Sequence, residues 1–424
     1  MKGLLKNLIF ILCIIFYFSS CNILENSDDP GSEQQEDIPT ELLMPENLQY
    51  IGAFRLPGPD YGIKSWAWGG YALTYFPGGD TGGSDDGYPG SLFGTGHAWE
   101  YQVSEISIPV PVVSDEKNLS ELNIATVIQP FSYIFDVRSL EIPRGGLAYL
   151  PKKGEQSSDK LYFCWGFHMQ DGPPSLTHGW SETDLLKPDI KRGWFLGGLS
   201  DHIRNMSTND YLFDIPSNWA KEYSSSMELG TGRFRDGGWS GQGPSIFAIA
   251  PWNDGSPPQD GSELKNIPLL LYTSTYQAGG EHHRMDNYHH SDEWSGAAWL
   301  TKGNKAAIIF AGTKGTGDCW YGDSNGPCLD CEGERGWWST GFEGQFIFFD
   351  PSDLAAVASG DKEPWEPQPY AKLNIDKYLY HINSGRQWYH LGAIAFDREG
   401  GLLYVFEPFG DGEKPLIHVW RIVE

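Results

Sequence analysis

Basic residues are scarce in this chain. Over 424 residues, 30 Lys and Arg stand against 56 Asp and Glu, a formal net charge of −26. A surface of that sign cannot neutralise phosphates generally, which excludes nucleic-acid binding. It also repels a polyanionic glycan at long range unless cations are gathered locally. Long helical periodicity is absent, as are the His-Glu-x-x-His helix of a metalloprotease and a Gly-rich phosphate loop opening a helix. Cysteine is scarce too: six in all, two of them, Cys13 and Cys21, near the N-terminus.

The N-terminus itself is informative. Lys2 and Lys6 precede an apolar run over residues 8–18, followed by Ser19-Ser20-Cys21. A basic region, a short apolar run and small residues before a cleavage point describe a secretory signal peptide over residues 1–20. The run is too short to span a bilayer as a stable helix. Phe18-Ser19-Ser20-Cys21 also resembles a bacterial lipobox, in which Cys21 is acylated and becomes the new N-terminus. Several acyl chains on one cysteine anchor a protein stably, so the membrane is expected as a partner through the lipid alone.

Residues 22–45 are rich in Asp, Glu, Ser, Gln and Pro, a composition that cannot bury enough surface to fold. Residues 21–47 are therefore expected as a lipidated, flexible acidic tether, and residues 48–424 as the folded body. An acidic tether directly after the acylated cysteine resembles the surface-export signal of Bacteroidetes lipoproteins. It implies an outer-membrane location, at the cell surface or facing the periplasm.

The body is rich in turn formers, with 52 Gly and 28 Pro in the chain, and aromatics reach 14%. Many short strands joined by tight turns follow from this. One pattern recurs: glycine, an apolar strand with small residues, a turn, and a second apolar strand. It occurs at residues 69–75, at 145–150 with 161–165, at 243–249, at 296–300 with 306–310, and most clearly at 392–397 with 402–406. Repeated two-strand units with small residues suit a propeller, whose inner strands crowd the axis while aromatics fill the space between sheets. The fold class is accordingly all-β, a single propeller of six or seven blades, expected as a monomer; a β-sandwich or parallel β-helix is the alternative. The strand at 416–421 is placed to close the ring near residues 51–56. Pro351-Ser352-Asp353 reads as a helix start, and residues 211–223 read as irregular or briefly helical.

Beyond the leader four cysteines remain: Cys164, in an apolar strand, and Cys319, Cys328 and Cys331 close together. Cys-x-x-Cys clamps one ion between two thiolates. With Cys319 and one histidine of the 282–290 stretch, it would complete a tetrahedral structural zinc site. His290 is the candidate ligand, with His282, His283 and His289 as alternatives. The competing reading pairs these cysteines as disulfides in an exported protein. The loop at residues 80–86 is a possible calcium loop, with a solvated glycine turn as the other reading.

Several polar groups stand where a strand gives way to a turn: His97, His168, His178, Arg233 and Arg235. At one face of a propeller such positions converge on the axis. Trp99, Trp165, Trp180 and Trp239 accompany them, and indole faces stack on the C–H groups of sugars. Each has a plainer reading, the imidazoles as hydrogen bonders between blades and the tryptophans as filling. Acidic pairs such as Asp292-Glu293 are plentiful, but sequence does not set the separation a glycosidase requires.

At these residues the chain resembles the β-propeller ulvan lyases of marine bacteria: a Gly-His strand end early on, further His, Tyr and Arg positions in later blades, and a late Cys/His cluster. It also resembles a wider group of bacterial propeller lipoproteins that open with Gly-Ala-Phe-Arg-Leu-Pro, here residues 52–57. The first resemblance implies β-elimination at a uronic acid of an acidic, sulfated polysaccharide. His168 would be the base, His97 or His178 its partner and Arg235 the uronate-binding cation. Tyr223 is a more remote donor. Arg233, Trp99, Trp165 and Trp239 would bind substrate. The competing class is a non-catalytic surface propeller that binds glycan and hands oligosaccharides to an uptake system.

Overall fold

The computed structural model describes residues 37–80, 82–134, 144–166, 175–197, 208–234, 241–273, 283–322, 336–381 and 390–424. Residues 1–36, Cys21 included, lie outside the described residues. Among the described residues no helix is long and apolar enough to cross a membrane.

Two short segments open the folded body, β1 (Glu41–Leu42) and β2 (Leu48–Arg55). The first blade then runs outward through β3 (Leu73–Phe76), β4 (Ser91–Thr95), β5 (Val103–Ser107) and β6 (Val127–Ser132). The second holds β7 (Gly145–Leu150), β8 (Lys160–Trp165), β9 (His178–Ser181) and β10 (Lys191–Trp194). The third holds β11 (Tyr211–Asp214), β12 (Leu229–Gly232), β13 (Ile246–Ile249) and β14 (Asn266–Leu270). The fourth holds β15 (Glu293–Lys302), β16 (Lys305–Tyr321), β17 (Trp337–Phe349) and β18 (Ala371–Asn374). The last holds β19 (Ile394–Asp397), β20 (Leu402–Asp411) and β21 (Lys414–Ile422), with β2 as its outer strand. Each inner strand, β3, β7, β11, β15 and β19, packs beside the next, and β19 returns to β3. The ring is closed: this is a β-propeller.

Among the described residues there are five blades, not the six or seven expected. Long strands absorb the difference. In the fourth blade β16 takes 17 residues and β17 takes 13, so fewer repeats fill the same length. Closure follows the expected pairing, with Leu416 opposite Arg55 and Arg421 opposite Gln49, but the N-terminal strand joins the last blade rather than the first. The body also begins before Leu48, because β1 runs parallel to Lys305–Ala306 within the segment assigned to the tether.

Small residues sit where the inner strands crowd. A Cβ on Gly146 would stand 2.5 Å from the Leu212 amide nitrogen, and one on Gly392 would stand 2.0 Å from the Gly70 carbonyl oxygen. The repeat at 243–249 is a different case. It forms the third strand of its blade, and the inner strand there is Tyr211–Asp214, which lacks the small-residue signature. The helix Ser217–Tyr223 follows it. The helix Pro351–Ser359 starts as expected, with the Asp350 carboxylate accepting the Ser352 amide at 2.8 Å.

Aromatic and aliphatic side chains fill each gap between sheets. Phe93, Leu147 and Phe163 join the first and second blades, and Tyr162, Trp180 and Phe247 the second and third. Tyr211, Trp299 and Phe310 join the third and fourth, Ile309, Phe346 and Trp420 the fourth and fifth, and Phe54, Leu92 and Phe406 the fifth and first. Each large apolar side chain buried this way stabilises the ring by roughly 1.5–3 kcal/mol.

Candidate functional site

Antiparallel register decides which residues share an end of the ring. Leu73 pairs with Gly94, Gly145 with Trp165, and Tyr211 with Gly232. His97, Trp165 and Arg233 therefore leave their second strands at the end where the inner strands begin. His178, opposite Cys164, starts a third strand at that same end. His168, Arg235, Trp239, Cys328 and Cys331 lie outside the described residues. Tyr223 sits at the opposite end, on the helix that follows β11.

At the axis of this end the structure gathers Arg233 with charges that the sequence did not single out. Arg144, immediately before β7, is buried, and its guanidinium donates to the Ser295 hydroxyl at 2.6 Å and pairs with the Glu293 carboxylate. It lies 4.3 Å from the Phe234 ring centroid and 5.5 Å from that of Tyr71. Arg233 is buried as well, its Nε 3.6 Å from Asp210 Oδ2, which also accepts the Phe234 amide at 3.2 Å. Burial raises the Asp210 carboxyl above its ordinary range, and Arg233 and then Arg144 oppose that shift. Guanidinium groups of adjacent blades and two carboxylates thus form one dry network. Their signal in sequence is slight: lone polar residues just ahead of, or opening, an inner strand.

The backbone is strained nearby. Asn209, ahead of Asp210, has φ +134° and is fully buried, and its side-chain amide has no hydrogen-bond partner among the described residues. A Cβ on Gly166 would stand 2.2 Å from its Cγ. Trp68 and Tyr101 hold φ of +55° and +51°, conformations that cost about 1–3 kcal/mol and cluster at functional sites.

Of the candidate histidines His97, His168 and His178, the two that are described differ in kind. His97 Nδ1 accepts the Trp99 amide at 3.3 Å, and its ring meets the Trp68 ring edge-on at 5.0 Å. Burial lowers its pKa, against a smaller opposing pull from Glu100. A neutral ring that accepts at Nδ1 carries its proton on Nε2, so His97 is a donor in this arrangement. His178 is fully enclosed, with Nδ1 2.8 Å from the Thr177 hydroxyl and Nε2 2.9 Å from the Thr231 hydroxyl. Burial pushes its pKa down to about 3. It is a neutral strut between the second and third blades. Trp165 is buried against Phe163, whereas Trp99 is 58% exposed and Trp68 39%.

Cys319 occupies β16 opposite Ser339. Its sulfur lies 3.8 Å from the Ser291 hydroxyl, which bonds Ser339 at 2.6 Å, and Ser339 in turn contacts His289 Nδ1 at 3.3 Å. His289 is thus the described imidazole in the Cys319 cluster. His290 stacks instead on Trp337 at 4.2 Å, and His283 on Trp365 at 4.6 Å. Burial, then Lys314 and His290, lower the His289 pKa, which favours the neutral, metal-binding form. No group of three metal-ligating side chains occurs among the described residues. Cys164 is a buried thiol with its pKa pushed up by burial, its sulfur 3.8 Å from the Tyr211 carbonyl. In the acidic loop, Asp80 and Asp86 accept the amides of Gly82 and Tyr88.

No protein-family model matches the chain, and no curated protein matches it.

Proposed function

We propose that the protein is a polysaccharide lyase that cleaves a uronic-acid-containing, ulvan-like polysaccharide by β-elimination at the axial end where the inner strands begin. The observation that carries the reading is the pair of guanidinium groups, Arg144 and Arg233, held at the axis of an otherwise acidic body. Each is paired with a carboxylate, Arg144 with Glu293 and Arg233 with Asp210, so a uronate carboxylate would bind there by displacing one of those partners. In the reaction a base takes the C5 proton, the C5–H electrons form the C4=C5 bond, and the C4–O bond breaks toward the departing sugar, which takes up a proton. A guanidinium on the uronate carboxylate stabilises the charge that develops on it. His97, protonated on Nε2, is the described group suited to protonate the departing oxygen, and exposed Trp99 offers a sugar-stacking face. His168 and Arg235 retain the roles of base and additional cation.

The same reading places the protein at the bacterial surface on acylated Cys21 and assigns a structural zinc to Cys319, Cys328, Cys331 and a histidine. His289, beside Cys319, is the better ligand than His290. The test is direct. The purified chain incubated with ulvan should generate the ultraviolet absorbance of an unsaturated uronate. Absence of that product from every uronic polysaccharide tried would exclude elimination, and new reducing ends without it would indicate hydrolysis.

A second reading, a non-catalytic glycan-binding propeller that serves an uptake system, is favoured by one specific observation. Both axial guanidinium groups already have carboxylate partners, Glu293 and Asp210. Saturable ulvan binding without any cleavage would select it.

A further inference from the structure

The other end of the axis, where the inner strands finish, opens into a cavity of about 260 Å³. Every blade contributes to it. Its walls include the aromatic residues Tyr75, Tyr149, Phe213 and Phe396, and Asp397 and Arg398 also line it.

The charges there do not cancel. Arg398 is fully engaged: its Nε is 3.1 Å from Asp214 Oδ2, one terminal nitrogen bonds the same carboxylate at 2.5 Å, and the other donates to the Thr301 hydroxyl at 2.9 Å. Asp397 has no cation within ion-pair distance among the described residues, and Lys302 acts on it only from farther away. Asp397 is 2% exposed, and its Oδ1 accepts the Gly400 amide at 3.0 Å. A buried carboxylate without a cation is disfavoured unless a partner arrives. Burial raises the Asp397 pKa and the Glu399 carboxylate adds to the shift, against the Gly400 and Glu399 amides and, more weakly, Lys302.

That partner's chemistry is constrained. A metal ion would need clustered ligands, and no group of three metal-ligating side chains occurs among the described residues. Aromatic walls beside one unpaired carboxylate instead suit a cation with an apolar shell, which rings attract through their negative faces. The Arg398 guanidinium already lies over the Phe396 ring at 5.6 Å. We propose that this cavity binds a small organic cation, a methylated or alkylated ammonium, with Asp397 as its counter-ion. The site is independent of the chemistry at the opposite end of the axis.

The experiment is a calorimetric titration of the purified full chain with choline chloride, repeated with 3,3-dimethylbutan-1-ol, which has the same shape without the charge. Choline should bind saturably and the neutral isostere at least about tenfold more weakly. Asp397→Asn keeps an acceptor for the Gly400 amide while removing the charge, and should weaken choline by a similar factor with an unchanged circular dichroism spectrum. No saturable choline binding, equal affinity for the neutral isostere, or undiminished binding by a folded Asp397→Asn variant would each overturn the proposal. If that variant does not fold, the comparison of choline with its isostere on the unmodified chain decides the matter.

Discussion

Arg144 of the second blade reaches past the third blade to pair with Glu293 of the fourth. The contact is nearly dry, with side-chain exposures of 8% and 13%, so it ties non-neighbouring blades together across the axis.

Breaking that contact from one side leaves a buried charge uncompensated. Arg144→Met should therefore destabilise the fold by about 3–5 kcal/mol, whereas the double variant Arg144→Met/Glu293→Leu should recover a large part of the loss. Chemical denaturation of the singles and the double measures the coupling. Additive losses would show that the two side chains do not depend on each other.

Crowding at the axis yields a sharper contrast between glycines. Gly146→Ala drives a Cβ into the Leu212 backbone, which cannot give way as a flexible side chain can, and should cost more than about 2 kcal/mol. Gly412→Ala, at a hairpin tip where φ is +70° and nothing lies within 4 Å, should cost about 1 kcal/mol. Equal melting temperatures for the two variants would contradict the close approach of β7 to β11.

These glycines explain how much of the fold was legible in sequence. Inner strands built on Gly and Ala, at 145–150 and 392–397, announced themselves because the axis tolerates no bulk there. Tyr211–Asp214 did not, since larger residues stand at that point of the ring, and the glycine-led copy at 243–249 is the third strand of its blade. Blade number was misjudged because it depends on how much chain each blade consumes, and the 17 residues of β16 break any fixed repeat. At the site, the register sets His97, His178 and Arg233 at one end of the ring, and in sequence they stand out only as polar residues where a strand gives way to a turn. Arg144, Asp210 and Glu293 were missed because a single polar residue ahead of a strand looks the same whether it faces solvent or the axis.

The burial of His178 has a pH signature. Its folded pKa of about 3 lies below the ordinary 6.5, so between those values the unfolded chain holds a proton that the folded one does not. Stability from this group is complete above pH 6.5 and falls by up to about 1.4 kcal/mol per pH unit as the medium is acidified below that. The buried carboxyl of Asp292, raised to about 6, works the opposite way over part of that window, so the comparison must be with a variant. His178→Gln should lose less stability than the parent chain between pH 6.5 and 4, followed by urea denaturation. Parallel curves would mean that the imidazole is not held neutral.

The cysteine cluster separates zinc from a disulfide by opposite sensitivities. A zinc site predicts about one metal per chain by elemental analysis, a fall in melting temperature with chelator, and none with a phosphine reductant. Cys319→Ser and His289→Ala should each lose the metal, while His290→Ala, which disturbs only a stack on Trp337, should keep it. Loss of stability with reductant alone would establish the disulfide instead.

The elimination reading makes its most specific demand on His97. With Nδ1 committed to the Trp99 amide, the neutral ring donates from Nε2 and needs no second proton to do so. Because burial holds its pKa below 6.5, turnover on ulvan should not rise on acidification from neutral pH to that value. His97→Gln should lower turnover by about 10²–10⁴ while leaving polysaccharide affinity nearly unchanged. Trp99→Ala, by contrast, removes an exposed stacking face and should raise KM with little change in kcat. An acidic activation centred above pH 6.5 that disappears in His97→Gln would mean that the cationic ring is the working form. The Nδ1 contact with Trp99 could not then persist during catalysis, because both nitrogens of a protonated imidazole donate.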